Sequence, residues 1–209
     1  MTTKNILPEW VFEFHGHRCP FVPIGYRMGQ IALRELGMER EKNSELQALS
    51  EMGSGHHNTC MEDGIQAATG CTYAKRNMEH IDYGKAAMVL YHPNHPEKGA
   101  VRLSLKPEAF DELGKFEFLT YRKKGTRPSD IPKNVSKEIV DWVLSRSDEE
   151  LLNVERLPDF AFQKQGPKTF AKVKCVKCGD YVFEPQVRIV KGEPHCIPCS
   201  GFTKSRPDA

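Results

Sequence analysis

Apolar positions near the start of the chain recur at the helical interval of three to four residues. Residues 7–14 follow this interval, and Pro8 suits a first helical turn, so a short amphipathic helix is predicted there. After Pro20 the same interval continues to Gly37, a residue typical of helix ends, and predicts a longer second helix. The apolar positions of the first helix are Leu7, Trp10, Val11 and Phe14.

The next part of the chain changes from a strand pattern to a helix pattern. Residues 46–49 alternate apolar and polar side chains and predict a strand. Residues 53–59 form a glycine-containing polar loop that ends in capping residues. Residues 60–69, followed by Gly70, predict a third helix.

The second half of the chain again mixes the two patterns. Residues 86–91 and 101–105 are separated by a Pro/Asn/Gly turn and predict a strand hairpin. Residues 107–121 and 135–144 predict helices, and Ser147 has the spacing of a capping box that opens another short helix. Helices and strands mixed in this way predict an α+β fold.

A change in composition marks a domain boundary. Residues 157–171 mix Pro, Gln, Lys and Gly with spaced phenylalanines, which is typical of a linker. We place the boundary near residue 165. This gives a mixed helix/sheet core domain at 1–165 and a small module at 166–209.

Composition and charge exclude several classes of protein. With 39% hydrophobic and 28% charged residues the chain is not of the disordered class, and a net charge of +2 creates no field that would attract nucleic acid or an anionic membrane. No apolar run reaches the ~18 residues that span a bilayer, and Glu9 and Glu13 interrupt the region where a signal peptide is apolar. We expect a cytoplasmic protein without a membrane partner. The basic turn at 123–128 lacks interleaved aromatic residues and is interpreted as a solvated loop, which argues against nucleic acid as a partner.

Seven cysteines in a chain expected to be cytoplasmic indicate metal binding or catalysis more than disulfides. Four of them form the pairs Cys175/Cys178 and Cys196/Cys199, with 17 residues between the pairs, which is typical of a four-cysteine zinc site. A unit this small does not fold without its ion. We therefore predict a structural zinc ion in a small zinc-ribbon or treble-clef-like zinc finger.

The residues around these cysteines refine the prediction. Residues 181–183 and 187–190 are predicted to pair as a hairpin between the two cysteine pairs. The alternatives are a redox thiol pair or a DNA-reading finger, but recognition-helix histidines are missing and few residues follow Cys199. His195 adjoins Cys196 and is interpreted as a bystander.

The segment 15–20, with the sequence HGHRCP, is a second candidate centre. Imidazole nitrogen and thiolate sulfur are ligands that Zn²⁺ prefers, and Gly16 lets the backbone bend so that the side chains converge. Cys19 lies just before one predicted helix and Cys60 opens another, and a helix N-terminus favours the thiolate. The alternative is a solvated loop with one buried thiol.

We take His17, Cys19 and Cys60 as the ligands of the core metal. Three ligands leave a fourth tetrahedral position open for water or substrate, which is the pattern of a reactive metal. Other histidines could fill that position or act as a base, and they are His15, His56 and His57. Glu62 and Asp63 are interpreted either as charges that favour the helix dipole or as a catalytic carboxylate.

The order of these blocks closely resembles the E-subunit family of formylmethanofuran dehydrogenase. The match covers about residues 8–145, and the four-cysteine module resembles the zinc finger that some members append. The shared blocks are residues 14–20, 25–27, 60–66 and 69–72, and Lys75. The chain departs from the family pattern, which has glycine, at Phe21, Ala74 and Arg76.

The resemblance implies an α+β core that forms a homodimer, and a metal pocket built from the His-x-Cys segment and the later cysteine. The complex that gives the family its name reduces carbon dioxide onto methanofuran with a molybdenum or tungsten pterin. We predict two zinc ions per chain, a core pocket for a small-molecule ligand or substrate, and, as one option, a role as accessory subunit beside oxidoreductase partner subunits in a formyl-transferring enzyme. The alternative is a non-catalytic accessory or regulatory zinc-finger protein that contacts a protein or nucleic acid.

Overall fold

A computed structural model of the chain describes residues 7–53, 59–81, 83–160 and 170–201. The chain divides into two compact units, residues 1–163 and 164–209, and each has its own strands and helices. No helix within the described ranges is long and apolar enough to cross a membrane.

The larger unit combines helices with one mixed sheet. Its helices are α1 (Glu9–His15), α2 (Phe21–Leu36), α3 (Cys60–Thr69), α4 (Pro107–Leu113), α5 (Glu117–Lys123), α6 (Lys133–Ser145) and α7 (Asp148–Leu151). Its strands are β1 (Gln47–Ser50), β2 (Met78–His80), β3 (Ala87–Tyr91), β4 (Ala100–Leu105) and β5 (Leu152–Leu157). The sheet order is β2-β1-β3-β4-β5, with β1 and β2 parallel and the other neighbours antiparallel. This is the mixed helix and sheet core that the sequence predicts.

Most elements begin and end near the predicted residues. Helix α3 spans the predicted range 60–69. Helix α2 ends because Gly37 adopts the left-handed conformation, with φ of 61°, and its N–H donates to the carbonyl groups of the last turn. The capping box is present, since the Ser147 side chain accepts a hydrogen bond from the Glu150 N–H.

The prediction of a single helix over residues 107–121 is wrong. Helix α4 ends at Leu113 and α5 begins at Glu117. Phe116 between them adopts an extended conformation, and its ring packs edge-on against Trp142 with the centroids 5.6 Å apart. Packing of Phe116 on Trp142 of α6 accounts for the break between α4 and α5.

Helices α2 and α3 cross at very close range. A Cβ atom added at Gly25 would lie 1.9 Å from the carbonyl oxygen of Met61, and one added at Gly64 would lie 2.1 Å from that of Val22. Real Cβ atoms essentially never approach this closely, so the crossing requires glycine at both positions. The crossing brings the residues before α2 close to the first turn of α3.

The main core lies between the helices and one face of the sheet, where α2 packs on β3 and β4. Its largest fully buried side chains include Ile24, Met28, Met61, Ile65, Met88, Leu90 and Leu103. A smaller cluster on Val89, Tyr91 and Ala100 packs with Phe160. The helices that carry the candidate site therefore rest on a packed core.

Residues 170–201 of the smaller unit form two short hairpins, a 3-10 turn at Glu184–Gln186 and a one-turn helix. Its elements are β6 (Lys172–Lys174), β7 (Tyr181–Phe183), β8 (Arg188–Val190), β9 (Glu193–His195) and α8 (Ile197–Ser200). The predicted pairing of 181–183 with 187–190 is wrong, because β7 pairs with β6 and β8 pairs with β9. The turn of β6–β7 carries the first cysteine pair, and β9 leads directly into Cys196, so each hairpin presents cysteines at one end.

Candidate metal centres

The end of α1 and the residues before α2 bring the first group of donors together. Gly16 follows α1 in the left-handed region, with φ of 91°, and its N–H donates to the Phe12 carbonyl. Donor atoms of His15, His17 and Cys19 lie within 4.8 Å of one another, and the two imidazole centroids are 4.4 Å apart. These are donor types and distances with which the group could bind a metal ion.

His15 is the best-oriented member of this group. Its side chain is 8% exposed, and Nδ1 is 2.7 Å from the carboxylate of Asp63. The other nitrogen, Nε2, is buried and has no hydrogen-bond partner in the part of the chain that the structure describes. Burial alone would lower the pKa of His15, but Asp63 and the Cys60 sulfur outweigh it and raise this pKa to about 9. A carboxylate on one imidazole nitrogen is typical of a metal-binding histidine, and an ion bound at Nε2 would replace the proton that this raised pKa keeps there.

The thiols of Cys19 and Cys60 lie beside the two histidines of this group. Cys19 is buried, and its hydrogen bond to Cys60 together with the positive charge of His15 lowers the pKa of Cys60 to about 5, against an ordinary value of 9. Burial, and then the neighbouring Cys60, raises the pKa of Cys19. Burial and the charge of His15 lower the pKa of His17, which favours its neutral form. The site thus offers one thiolate and one neutral imidazole, both of which are metal-binding forms.

The structure brings some of the predicted core ligands into one group and leaves others beside it. His17 and Cys19 belong to the converging group, and Cys60 lies beside it through its interaction with Cys19. His15, which was only a spare ligand in the sequence prediction, is a full member of the group. Asp63 was missed as the partner of His15, although its position one turn after Cys60 on the same face of α3 was a signal. The other spare histidines, His56 and His57, lie outside the described residues.

Glu62 does more than favour the helix dipole. Its buried carboxylate accepts hydrogen bonds from the hydroxyl groups of Ser50 at 2.5 Å and Tyr73 at 2.8 Å, and it lies 3.1 Å from Nδ1 of His80. The Tyr73 hydroxyl is also 2.9 Å from the same His80 nitrogen. Burial, and then Glu62, raises the pKa of Tyr73. This network ties the first turn of α3 to β1 and β2 and so fixes the residue that opens the helix.

The four cysteines of the smaller unit form the second group. The sulfur atoms of Cys175, Cys178, Cys196 and Cys199 all lie within 4.8 Å of one another. Backbone hydrogen bonds from residues 196 and 178 lower the pKa of Cys175 to about 6, which favours its thiolate. Nδ1 of the neighbouring His195 lies 3.1 Å from the carbonyl oxygen of Glu193, and this histidine is not part of the group. The arrangement fits a small zinc-finger-like region.

An α+β core with converging imidazole and thiol groups, followed by a separate four-cysteine unit, defines a class of two-part proteins in which each part could bind a metal ion. The chain belongs to the FmdE family, described as "FmdE, Molybdenum formylmethanofuran dehydrogenase operon", whose sequence profile matches residues 14–153. The resemblance inferred from the sequence is thereby confirmed.

Two known proteins show the range of this similarity. The crystal structure of a tungsten formylmethanofuran dehydrogenase FmdE-like protein from Syntrophus aciditrophicus has a TM-score of 0.58 and 24% sequence identity, covering 92% of this chain and 89% of that one. It shows a shared fold. A curated protein of Archaeoglobus fulgidus, named as a probable S-adenosyl-L-methionine-binding protein, is 28% identical over 199 residues, which are 90% of this chain. The chain spans about half the length of this curated relative, or 51%.

Proposed function

We propose that the chain is a zinc-binding FmdE protein with two zinc ions per chain, one reactive ion in the core and one structural ion in the smaller unit. The core ion would serve a pocket that binds a small-molecule ligand or substrate. The observation that carries the proposal is Nε2 of His15, a buried nitrogen without a hydrogen-bond partner among the described residues, in a group with His17 and Cys19. A buried polar atom without a partner is costly, and a metal ion in that position would remove the cost.

The donor set suits zinc better than a hard cation. His15, His17, Cys19 and Cys60 offer nitrogen and sulfur, which Zn²⁺ prefers, whereas Mg²⁺ and Ca²⁺ prefer oxygen. A reactive ion would take three of these four donors and keep its fourth position for the ligand. A zinc ion held there would supply Lewis acidity to a bound ligand. The chain itself orients the donors, since Asp63 fixes the ring of His15 through Nδ1 and thereby directs Nε2 into the group.

The ion in the smaller unit would have a different role. Four sulfur ligands occupy all four tetrahedral positions, so no position is open to substrate. The two short hairpins around the cysteines bury little apolar surface, because Val173, Tyr181 and Ile189 are exposed within this unit. An ion is therefore the main source of stability for the unit, and we propose that it is structural.

The alternative is a non-catalytic accessory or regulatory protein. Trp10 and Phe14 on α1 are 46% and 59% exposed, and a homodimer or an oxidoreductase partner subunit would cover them. The name of the Archaeoglobus relative makes S-adenosylmethionine a ligand worth testing in the core pocket. Cytoplasmic location and the absence of a nucleic-acid partner stay predictions from the composition.

Metal analysis of the full-length protein, purified under reducing and chelator-free conditions, tests the proposal. We expect two zinc ions per chain, and one in each of the variants His15→Ala and Cys175→Ser, because each variant removes a ligand from a different group. His195→Ala is the matched control and should keep both ions. Two ions in His15→Ala would show that His15 is not needed to hold the core ion, and only one ion in the wild-type protein would contradict a zinc site in the core group.

A further inference from the structure

A cleft opens beside the first metal group and shares one residue with it. The cleft has a volume of about 500 Å³, which lies in the range of small-molecule sites. This His17 cleft is lined by His17, Arg18, Ile131, Lys133, Ser136 and Lys137, together with Asp141 and residues 128–129. Ile131 and Ser136 are buried, whereas Arg18 and the two lysines are exposed. The cleft therefore has a buried floor that reaches His17 and a rim of charged side chains.

The rim is mainly positive, and its cations differ in how far they are neutralised. Arg18 donates two hydrogen bonds of 2.7 Å from Nη2 to the carboxylate of Glu9, so its charge is already paired. Lys137 forms an ion pair with Asp141 one turn later on α6. Lys133 makes no ion pair within the described ranges, so its charge is the one most available to a ligand.

The position of these lysines near the start of α6 also favours an anionic ligand. Lys133 is the first residue of the helix and Lys137 follows one turn later, while the first turn carries no acidic side chain. Cations at this end of a helix are repelled by the helix dipole, and acidic residues are usually preferred there. Lys133 at the start of the helix is therefore in an unfavourable position, and an anion bound in the cleft would offset this cost.

We infer that the His17 cleft binds the anionic group of a small-molecule ligand, a carboxylate or a phosphate, with Lys133 and Lys137 as its charge partners. This inference rests on the proposed function, because it names the class of ligand that the core metal pocket would take. Ser136 on the same face of α6 adds a hydroxyl donor to the site. With its anionic group at α6, the rest of the ligand lies along Ile131 toward His17. The reacting end of the ligand is thereby presented to the metal group.

Backbone-amide NMR of the full-length, zinc-loaded protein tests the inference with sodium phosphate, sodium acetate and acetamide at constant ionic strength. We expect saturable shifts at residues 129–137 with an anion and none with acetamide, which has the shape of acetate without its charge. The tighter of the two anions identifies the class of group. The absence of saturable shifts with both anions would overturn the inference.

Four variants sharpen the test. Lys133→Ala should weaken anion binding about tenfold, the loss expected for one charge-assisted contact. Lys137→Ala should weaken it less, because Asp141 is already paired with Lys137. Asp141→Asn should strengthen binding, because it frees Lys137, and a folding defect would not produce this change. Lys42→Ala, an exposed lysine outside the cleft, is the control and should change nothing. Equal affinity in Lys133→Ala and wild type would refute the assignment.

The zinc content of the same samples separates this inference from the proposed function. Two zinc ions without anion binding would overturn the anion site and leave the metal proposal standing. Anion binding at α6 in a protein that holds no core zinc would support the anion site and contradict the metal proposal.

Discussion

Replacing Gly64 by alanine tests whether the close crossing of α2 and α3 builds the core metal group. The added Cβ would lie 2.1 Å from the carbonyl oxygen of Val22 and 2.5 Å from the backbone nitrogen of Tyr26. Both are backbone atoms that cannot rotate away, so the helices must separate until the shorter distance reaches the 3.4 Å of ordinary contact. This moves the start of α3, and Cys60 with it, away from Cys19.

Two opposing contributions determine how far Gly64→Ala changes the free energy of unfolding. Alanine favours a helix interior over glycine by about 1 kcal/mol. Overpacking costs about 1–3 kcal/mol, and a clash with fixed backbone lies at the upper end of that range or above it. We expect a net destabilisation of about 2 kcal/mol, which lowers the melting temperature of a unit of this size by roughly 4–8 °C. The core zinc ion should also bind at least about tenfold more weakly, since a ligand is displaced.

Thermal unfolding and zinc content should be measured on the same samples. Gly114→Ala is the matched control, because Gly114 has ordinary helical angles, with φ of −60°. An added Cβ would lie 3.1 Å from the Asp111 carbonyl oxygen, so a shift of a few tenths of an ångström accommodates it, against more than 1 Å at Gly64. This control should unfold near the wild-type temperature and keep two zinc ions. A Gly64→Ala protein with wild-type stability and full core zinc would refute the reasoning about the crossing.

Three further outcomes are expected. Cys175→Ser should make residues 170–201 sensitive to protease while the larger unit stays resistant, and unchanged resistance of that segment would contradict a structural ion. Light scattering should show a dimer that Trp10→Glu dissociates, because this exposed ring would no longer be buried, and a wild-type monomer at all concentrations would exclude the dimer. In the zinc-free protein the Cys60 thiolate, followed by absorbance at 240 nm, should titrate near pH 5, and Cys19→Ala, which removes the hydrogen-bond donor, should move the midpoint upward. Because the unfolded thiol titrates near 9, this thiolate stabilises the fold fully above that pH, and the contribution is lost as the pH falls through about 5. A midpoint near 9 in the wild type would contradict this.

The sequence predicted the helices whose ends are marked by residues within the same segment. Gly37 and Gly70 fixed the ends of α2 and α3, and the capping box at Ser147 fixed the start of α7. Strands β2 and β5 were not predicted, since β2 has only three residues and β5 alternates apolar and polar side chains over only 152–155, with its middle residues exposed. The pairing in the smaller unit was wrong because strand pairing depends on contacts between elements and not on spacing.

In the candidate site, too, the grouping of residues close in sequence was predicted, whereas contacts between distant residues were not. The converging donors of segment 15–20 follow from their close spacing and from Gly16. The contact between His15 and Asp63 joins residues 48 positions apart, so it depends on how α1 and α3 pack. The crossing at Gly25 and Gly64 was also not predicted, because a glycine in a helix pattern does not reveal which backbone approaches it.

X-ray absorption at the zinc edge tests the central claim most directly. In the full-length variant Cys175→Ser/Cys178→Ser, the second site is disabled and the zinc signal comes from the core. We expect about one zinc ion per chain with nitrogen neighbours at about 2.0–2.1 Å and sulfur neighbours at about 2.3 Å, because histidine and cysteine both hold the ion. His15→Ala in this background should reduce the nitrogen signal or remove the zinc. A variant that purifies without zinc, or with zinc bound only to sulfur or only to oxygen, would contradict a core metal centre built from His15, His17 and Cys19.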